Sequence, residues 1–336
     1  LFKQRHHELS TYLDANQINV EHRYFNESRP DSMDWRYLTV KQAAADHHRL
    51  VQLLRTIYSG KWVSTGISKG GQTALFHRRF YPDDVEATVA YVAPIPLAPE
   101  DQRLNEFIET LGDPSCRERM KKYQRRLLEN RKELVPIFET WAKEKGQNFS
   151  IGLETAFEYA VLEYPFSFWQ TGATNCAEIL GNGASVEELF AHLQTAVPLG
   201  LYSDRQIAYF QVSYYQFFTE IGYYGFVTSH LKDLLVALPN PSNKAFVPKN
   251  VEVTYNPRVM QDIINWLQNK GNNIIYIYGG QDAWTGAAVD PTERTNALKL
   301  VIPGKHHNVR IRHFSEREKE TIFSTLESWL DMKIAH

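Results

Sequence analysis

The stretch Trp62-Val63-Ser64-Thr65-Gly66-Ile67-Ser68-Lys69-Gly70-Gly71-Gln72-Thr73-Ala74-Leu75 decides how the rest of the chain is read. Trp62 to Thr65 is aromatic and β-branched, as a strand favours. A Gly-x-Ser-x-Gly turn follows, and Gly71 to Leu75 opens a helix. In such a turn the serine backbone is strained so that Oγ stands clear of the sheet, and the flanking glycines Gly66 and Gly70 let strand and helix approach closely. The new helix aims its first N–H groups and the positive end of its dipole at any oxyanion that forms there, with the Lys69 N–H as first donor. Ser68 is therefore a candidate nucleophile.

Two downstream loops carry the groups that such a serine needs. Asn273-Ile274-Ile275-Tyr276-Ile277-Tyr278 is an apolar run closed by Gly279-Gly280, and its loop holds Gln281-Asp282-Ala283-Trp284. Leu298-Lys299-Leu300-Val301-Ile302 is a further strand, closed by Pro303-Gly304, and its loop holds Lys305-His306-His307-Asn308. The first run, continuously apolar, reads as a parallel strand buried on both faces. Each candidate then sits at the carboxyl end of a parallel strand, where open α/β sheets place their sites. The chain order Ser, Asp, His is that of the α/β-hydrolases. The expected fold is an α/β-hydrolase with a mostly parallel sheet, and the candidate catalytic set is Ser68, Asp282 and either His306 or His307.

The middle of the chain has helical rather than strand periodicity. Amphipathic stretches run over Gln102 to Leu111, Arg117 to Lys145 and Leu153 to Glu163, and strand signals return only after a helix at Val259 to Asn269. This predicts a helical cap over residues 99–257, inserted between the sixth and seventh strands of a core formed by residues 1–98 and 258–336. The cap is crowded with aromatics, among them Tyr159, Tyr164, Phe166, Phe168, Trp169, Tyr214, Phe217, Tyr223 and Tyr224. Most must form its own core, since aromatics carry the largest apolar area. Glu163 and Glu220 lie within these aromatic segments, and a carboxylate there needs a partner. The partner is either an internal arginine or hydroxyl, or the α-ammonium of a bound peptide.

At the amino end, Glu8 to Asp14 reads as a helix and Asn16 to Tyr24 as the strand preceding the Ser68 strand, with Phe2-Lys3-Gln4-Arg5 resembling an earlier one. The usual first strands, and the loop that supplies a second oxyanion donor, have no room before it. The expectation is that these N-terminal strands are missing from this chain.

Composition narrows the functional classes. The 336 residues are 43% hydrophobic and carry a formal net charge of −2, which gives no electrostatic argument for nucleic acid or an anionic membrane. No apolar run reaches the length of a membrane span. The basic stretch Arg117 to Arg131, interleaved with Glu118 and Glu129, reads as a solvated helix face. Only Cys116 and Cys176 are present, which excludes a disulfide framework and makes a cysteine metal site implausible. One bridge between cap segments and two buried thiols both stay open. The chemistry of a serine nucleophile requires no metal or organic cofactor.

The residues around the turn also carry a resemblance. Val20-Glu21-His22-Arg23-Tyr24-Phe25, Tyr37-Leu38-Thr39, Gln42-Ala43-Ala44-Ala45-Asp46 and Gly60 to Gly71, followed by His77-Arg78-Arg79-Phe80-Tyr81-Pro82-Asp83-Asp84-Val85 and Val89 to Pro94, resemble the S37 serine peptidases, the PS-10 type tripeptidyl aminopeptidases. A more distant likeness is to the prolylcarboxypeptidase and dipeptidyl peptidase II group. The resemblance implies a secreted or periplasmic exopeptidase that removes short peptides, tri- or tetrapeptides, from free N-termini, with proline or small residues favoured before the scissile bond. It implies Ser68 as nucleophile, Asp282 as orienting acid and His307 as base, because the histidine precedes Arg310-Ile311 by three residues. The neighbouring His306 stays as the alternative base, since the prolylcarboxypeptidase group has its own double histidine. Ala283 departs from the proline expected before Trp284. An aminopeptidase must also fix the substrate ammonium, for which Glu163 and Glu220 are the candidates. A carboxylesterase of the same fold and a catalytically silent binding module are the rival readings.

Overall fold

A computed structural model describes residues 6–334; the strand expected at Phe2 to Arg5 lies outside the described residues. Among the described residues four parallel strands, β1 (Val63–Ile67), β2 (Ala87–Tyr91), β3 (Ile274–Gly279) and β4 (Leu298–Ile302), form one sheet in that order. The central pair β2 and β3 is buried along its whole length, as their unbroken apolar runs require. Successive side chains alternate between two cores. Val89, Tyr91, Ile275 and Ile277 meet Ile322, Phe323 and Leu326 of the helix α11 (Glu316–Leu330) on one face. Ala90, Ile274, Tyr276 and Tyr278 meet Leu75 and Phe76 of α3 (Lys69–Phe80) and Met260, Ile263 and Leu267 of α10 (Pro257–Asn269) on the other. This is a three-layer α/β arrangement of the α/β-hydrolase kind.

Before the sheet stand a short helix α1 (Glu8–Tyr12) and the longer α2 (Val40–Leu54). The strand expected at Asn16 to Tyr24 does not form. Ile18 and Val20 are 44% and 39% exposed, so the apolar positions bury no face, and a strand is held by burial and ladder partners more than by propensity. The segment is pinned by side chains instead. Gln17 accepts from the His7 N–H at 2.7 Å, and Arg23 bonds Asp46 and Gln42 of α2. Tyr24 has φ +71°, a left-handed conformation incompatible with a continuing strand.

Between β2 and β3 lie the helices α4 (Gln102–Ile108), α5 (Pro114–Glu129), α6 (Arg131–Glu144), α7 (Leu153–Thr171), α8 (Val186–Ala196) and α9 (Asp204–Gln216), continued by a π-helical turn over Phe217–Ile221. The expected single stretch from Arg117 to Lys145 is two helices, because the chain leaves helical geometry at Asn130. The stretch starting at Leu153 runs well past Glu163, through Pro165. Proline there removes an N–H and orphans the Val161 carbonyl, and the buried Gln124 of α5 donates to that carbonyl at 2.8 Å. The basic face of α5 is less solvated than its pattern suggests. Arg125 bonds Asp233, Arg126 donates to the Gly181 and Ala184 carbonyls, and Arg131, at the start of α6, pairs with the fully buried Glu158.

Cys116 of α5 and Cys176 are joined in a disulfide with a sequence separation of 60, which settles the choice the sequence left open. Closing a loop of this length removes denatured-state entropy worth about 4 kcal/mol. Cys116→Ser/Cys176→Ser is accordingly expected to lower the unfolding free energy by about 2–4 kcal/mol, read by urea denaturation. An unchanged midpoint would show that the bridge does not constrain the unfolded chain.

Candidate active site

The site is assembled at the carboxyl edge of the sheet. Ile67 closes β1 in register with Tyr91, and the next N–H, that of Ser68, donates to the Tyr91 carbonyl at 2.9 Å. Ser68 then turns into α3 with φ +56° and ψ −123°. That conformation is costly for a non-glycine residue, on the order of 1–3 kcal/mol, and persists where its surroundings over-determine it. Those surroundings are visible at the glycines. A Cβ on Gly66 would lie 2.2 Å from the Gly70 carbonyl oxygen, and one on Gly71 would lie 2.8 Å from Ala93 Cβ. Gly70 has open space around its Cα. The close approach of strand and helix therefore depends on Gly66 and Gly71, not on Gly70 as the motif alone suggests.

Asp282 follows β3 by three residues and caps a short 3-10 helix, Ala283–Ala287. Its carboxylate is fully buried. Oδ1 accepts the Trp284 N–H at 3.2 Å, and Oδ2 accepts from His307 Nδ1 at 2.7 Å. Trp284 fixes the loop from the far side, packed edge-on against Phe166 and beside Tyr223 and Tyr224. Asp290, the nearest other acid in sequence, is instead exposed and paired with Lys299.

The two histidines have different partners. His306 Nδ1 lies 2.7 Å from the Trp169 carbonyl; a carbonyl only accepts, so Nδ1 carries the proton and donates. The His307 backbone N–H donates to the Gln170 carbonyl at 3.0 Å. Both bonds use carbonyls that the end of α7 leaves unpaired. Gly172 ends α7 in the left-handed conformation, and a Cβ there would meet the His306 ring at 2.3 Å. The ring of His307 faces Asp282. With Nδ1–H donated to that carboxylate, Nε2 is left bare, and it is buried with no partner. Asp282 and His307 are thus brought together. Ser68 stands on the same edge of the sheet, but the bond between its Oγ and His307 Nε2 is not formed; such bonds commonly tighten only when substrate is bound.

Lys69, next to the serine, extends its side chain toward the helical insertion and donates to Gln216 Oε1 at 2.7 Å, 5.7 Å from the Phe217 ring centroid. Burial pushes its ammonium down to about 7. Burial and then the Lys69 charge hold the nearby His22 at about 3, so that ring is neutral.

The two acids of the insertion are placed differently. Glu220 belongs to the π-helical turn, and its Oε2 accepts the Val40 N–H at 2.6 Å, serving as a cap for the first turn of α2 alongside Thr39. Glu163 lies deep among aromatics and accepts from the hydroxyls of Tyr224 at 2.6 Å, Ser167 at 2.8 Å and Tyr202 at 3.1 Å. No arginine or lysine pairs with it among the described residues. Burial outweighs the three hydroxyl bonds and raises its carboxyl to about 7.

The raised value has a stability consequence. A carboxyl whose folded-state pKa exceeds its unfolded value is stabilising below the unfolded value, and the contribution is lost as pH rises through the folded one. Between pH 4.5 and pH 7 that amounts to about 3 kcal/mol at one pKa unit per 1.36 kcal/mol. The protein is expected to lose stability over this window, and Glu163→Gln, which stays neutral, is expected to flatten the profile. Parallel profiles for the two proteins in thermal unfolding would refute the assignment.

A strained serine on a strand-to-helix turn and a histidine paired with a buried aspartate, all at the carboxyl ends of parallel strands, define the class as a serine hydrolase. The chain belongs to the PS-10 peptidase S37 family, whose model matches residues 3–334. It is 34% identical over 324 residues to the prolyl tri/tetrapeptidyl aminopeptidase of Streptomyces mobaraensis, an alignment spanning 94% of this chain and 68% of that protein. A shorter match, 32% identical over 99 residues, is to the lysosomal Pro-X carboxypeptidase of Bos taurus, spanning 26% of this chain and 20% of that one. Among solved structures, VinJ aligns over 90% of this chain and 76% of its own with a TM-score of 0.39 and 14% identity, a likeness too loose to add to the fold read from the sheet.

Glu158 and its partners were not legible in the sequence. Its carboxylate accepts from Arg131 and from the N–H groups of Val236, Ala237 and Leu238. Nothing in the local pattern joins residues so far apart. Gln216 and His22, which flank Lys69, were equally silent.

Proposed function

We propose that this chain is a serine exopeptidase that releases short peptides, tri- or tetrapeptides, from free N-termini, with proline or small residues favoured before the cut. The observation that carries this reading is the pairing of the buried Asp282 with half-buried His307, whose unpartnered Nε2 sits in the loop beside the β3 loop of Asp282, on the sheet edge that presents Ser68. In this reading His307 Nε2 takes the Ser68 hydroxyl proton as Oγ attacks the scissile carbonyl, and Asp282 stabilises the resulting imidazolium. The Lys69 N–H, at the start of α3, donates to the oxyanion. When the intermediate collapses, His307 returns the proton to the leaving amine, and water then releases the acyl group by the same steps.

The name of the Streptomyces mobaraensis relative supports an amine-anchored substrate. Glu163 is favoured over Glu220 as that anchor, because Glu220 already caps α2 while the partners of Glu163 are uncharged hydroxyls. The helical segment over residues 99–257 acts as the cap that closes over the peptide. A secreted or periplasmic location is supported by the Cys116–Cys176 disulfide, since such bonds persist in oxidising compartments. Among the described residues no helix is long and apolar enough to cross a membrane.

The test compares free and N-acetylated tri- and tetrapeptide anilides. An anchored ammonium bonded to a buried carboxylate contributes about 1.5–3 kcal/mol, so kcat/KM is expected to fall about 10- to 150-fold on acetylation. Equal rates on blocked and free substrates would support a carboxylesterase or endopeptidase instead.

A further inference from the structure

The catalytic scheme uses the backbone of Lys69 and leaves its side chain unexplained. A lysine directly after the nucleophile begins at the rim of the cleft, and here it is directed into the seam between the elbow and the insertion. Its ammonium has three donors. One goes to the neutral Gln216 Oε1 at 2.7 Å, and the Phe217 ring lies nearby. Among the described residues no carboxylate forms an ion pair with it, and no neighbouring charge counters the effect of burial on it. Glu220, on the same π-helical turn as Phe217, is engaged with Val40. His22, the other ionisable group close by, is neutral and bonded to the Arg23 carbonyl. Lys69 is half-buried, and a cation partly shielded from water without an anion is costly.

We propose that the Lys69 ammonium binds the C-terminal carboxylate of the substrate on the leaving-group side, so that the preferred substrates are short free oligopeptides rather than long chains. This rests on the assignment of Ser68 and the Lys69 N–H given above. Reach sets the length. From its Cα a lysine extends about 6 Å, and each extended residue adds roughly 3.3 Å. With the scissile carbonyl held at the Lys69 N–H, the carboxylate lies one or two residues beyond the cut. Tri- or tetrapeptide release therefore fits substrates of roughly four to six residues. The arrangement makes Lys69 a specificity-determining residue as well as an oxyanion donor.

The experiment uses pairs of peptides with free N-termini and proline before the cut, followed by one, two or five residues, each made as the free acid and as the C-terminal amide. For the one- and two-residue leaving groups kcat/KM is expected to be tenfold or more higher for the acid, and for the five-residue leaving group the acid-to-amide ratio is expected to be near one. Lys69→Met is expected to bring every ratio to near one, whereas Lys69→Arg, which keeps the charge, preserves most of the preference. A ratio near one in the unaltered protein, or a preference that survives in Lys69→Met, would overturn the proposal. If neither peptide is cleaved, the peptidase reading fails, and the carboxylate site is still judged by calorimetry on the Ser68→Ala protein: tighter binding of the acid than of the amide supports it, and equal binding refutes it.

Discussion

Ser68→Ala is expected to lower kcat on a free tripeptide anilide by on the order of 10⁴- to 10⁶-fold, with the unfolding transition within about 1 kcal/mol of the parent. The size of the loss follows from the chemistry. In the proposed mechanism no acyl-enzyme forms without Oγ, and only the oxyanion donor and substrate binding remain to accelerate attack by water. The small effect on stability follows from the geometry. Alanine keeps the Cβ, so the strained φ of +56° at the turn is unchanged, and the bond from the residue 68 N–H to the Tyr91 carbonyl survives. Activity within tenfold of the parent would remove Ser68 from the reaction.

The second large effect is expected at the histidine pair. If His307 is the base of the proposed mechanism, His307→Ala should cost nearly as much as Ser68→Ala, because nucleophile and base act as a unit and their losses are far from additive. Among the described residues it also leaves the Asp282 carboxylate, fully buried, with only the Trp284 N–H. The loss in stability is expected to be about 1–3 kcal/mol, which separates it from Ser68→Ala. His306→Ala removes a bond to the Trp169 carbonyl at the end of α7 and is expected to reduce kcat by tenfold or less, through displacement of the loop. The reverse ranking in steady-state kinetics would assign the base to His306.

The contrast between these two histidines shows what the chain does and does not reveal by itself. The strand and loop that carry them were legible, since Leu298–Ile302 is apolar and β-branched but for Lys299 and is closed by Pro303-Gly304. Their different partners were not. It depends on the end of α7, more than 130 residues earlier, whose free carbonyls take His306 Nδ1 and the His307 N–H and so direct one ring outward from Asp282 and the other onto it. The elbow was readable for the same reason as the strand: its strain, its helix and its glycines are all local. Even there the contribution of Gly71 in place of Gly70 came only with the position of Ala93 on the neighbouring loop.

Elsewhere, local pattern and tertiary outcome part company. Asn16 to Tyr24 has strand-like residues but no face to bury, and the chain is held by Gln17 and Arg23 instead. Pro165 should interrupt α7, and Gln124 from another helix makes the helix affordable by taking the orphaned carbonyl. Glu163 could be recognised as a carboxylate in need of a partner, but its three hydroxyls come from α7 itself, from the turn carrying Tyr202 and from the loop carrying Tyr224. Pairing of two cysteines across 60 residues is likewise a property of the packed insertion, not of their spacing.

Covalent trapping tests the central claim most directly. The protein is treated with a fluorophosphonate, which captures an activated serine, and the adduct is located by mass spectrometry of proteolytic fragments. One adduct per chain, on the fragment carrying Ser68, is expected at neutral pH, with labelling of the His307→Ala protein slower by a hundredfold or more and labelling of His306→Ala close to that of the parent. No adduct, or an adduct on a serine other than Ser68, would contradict the account.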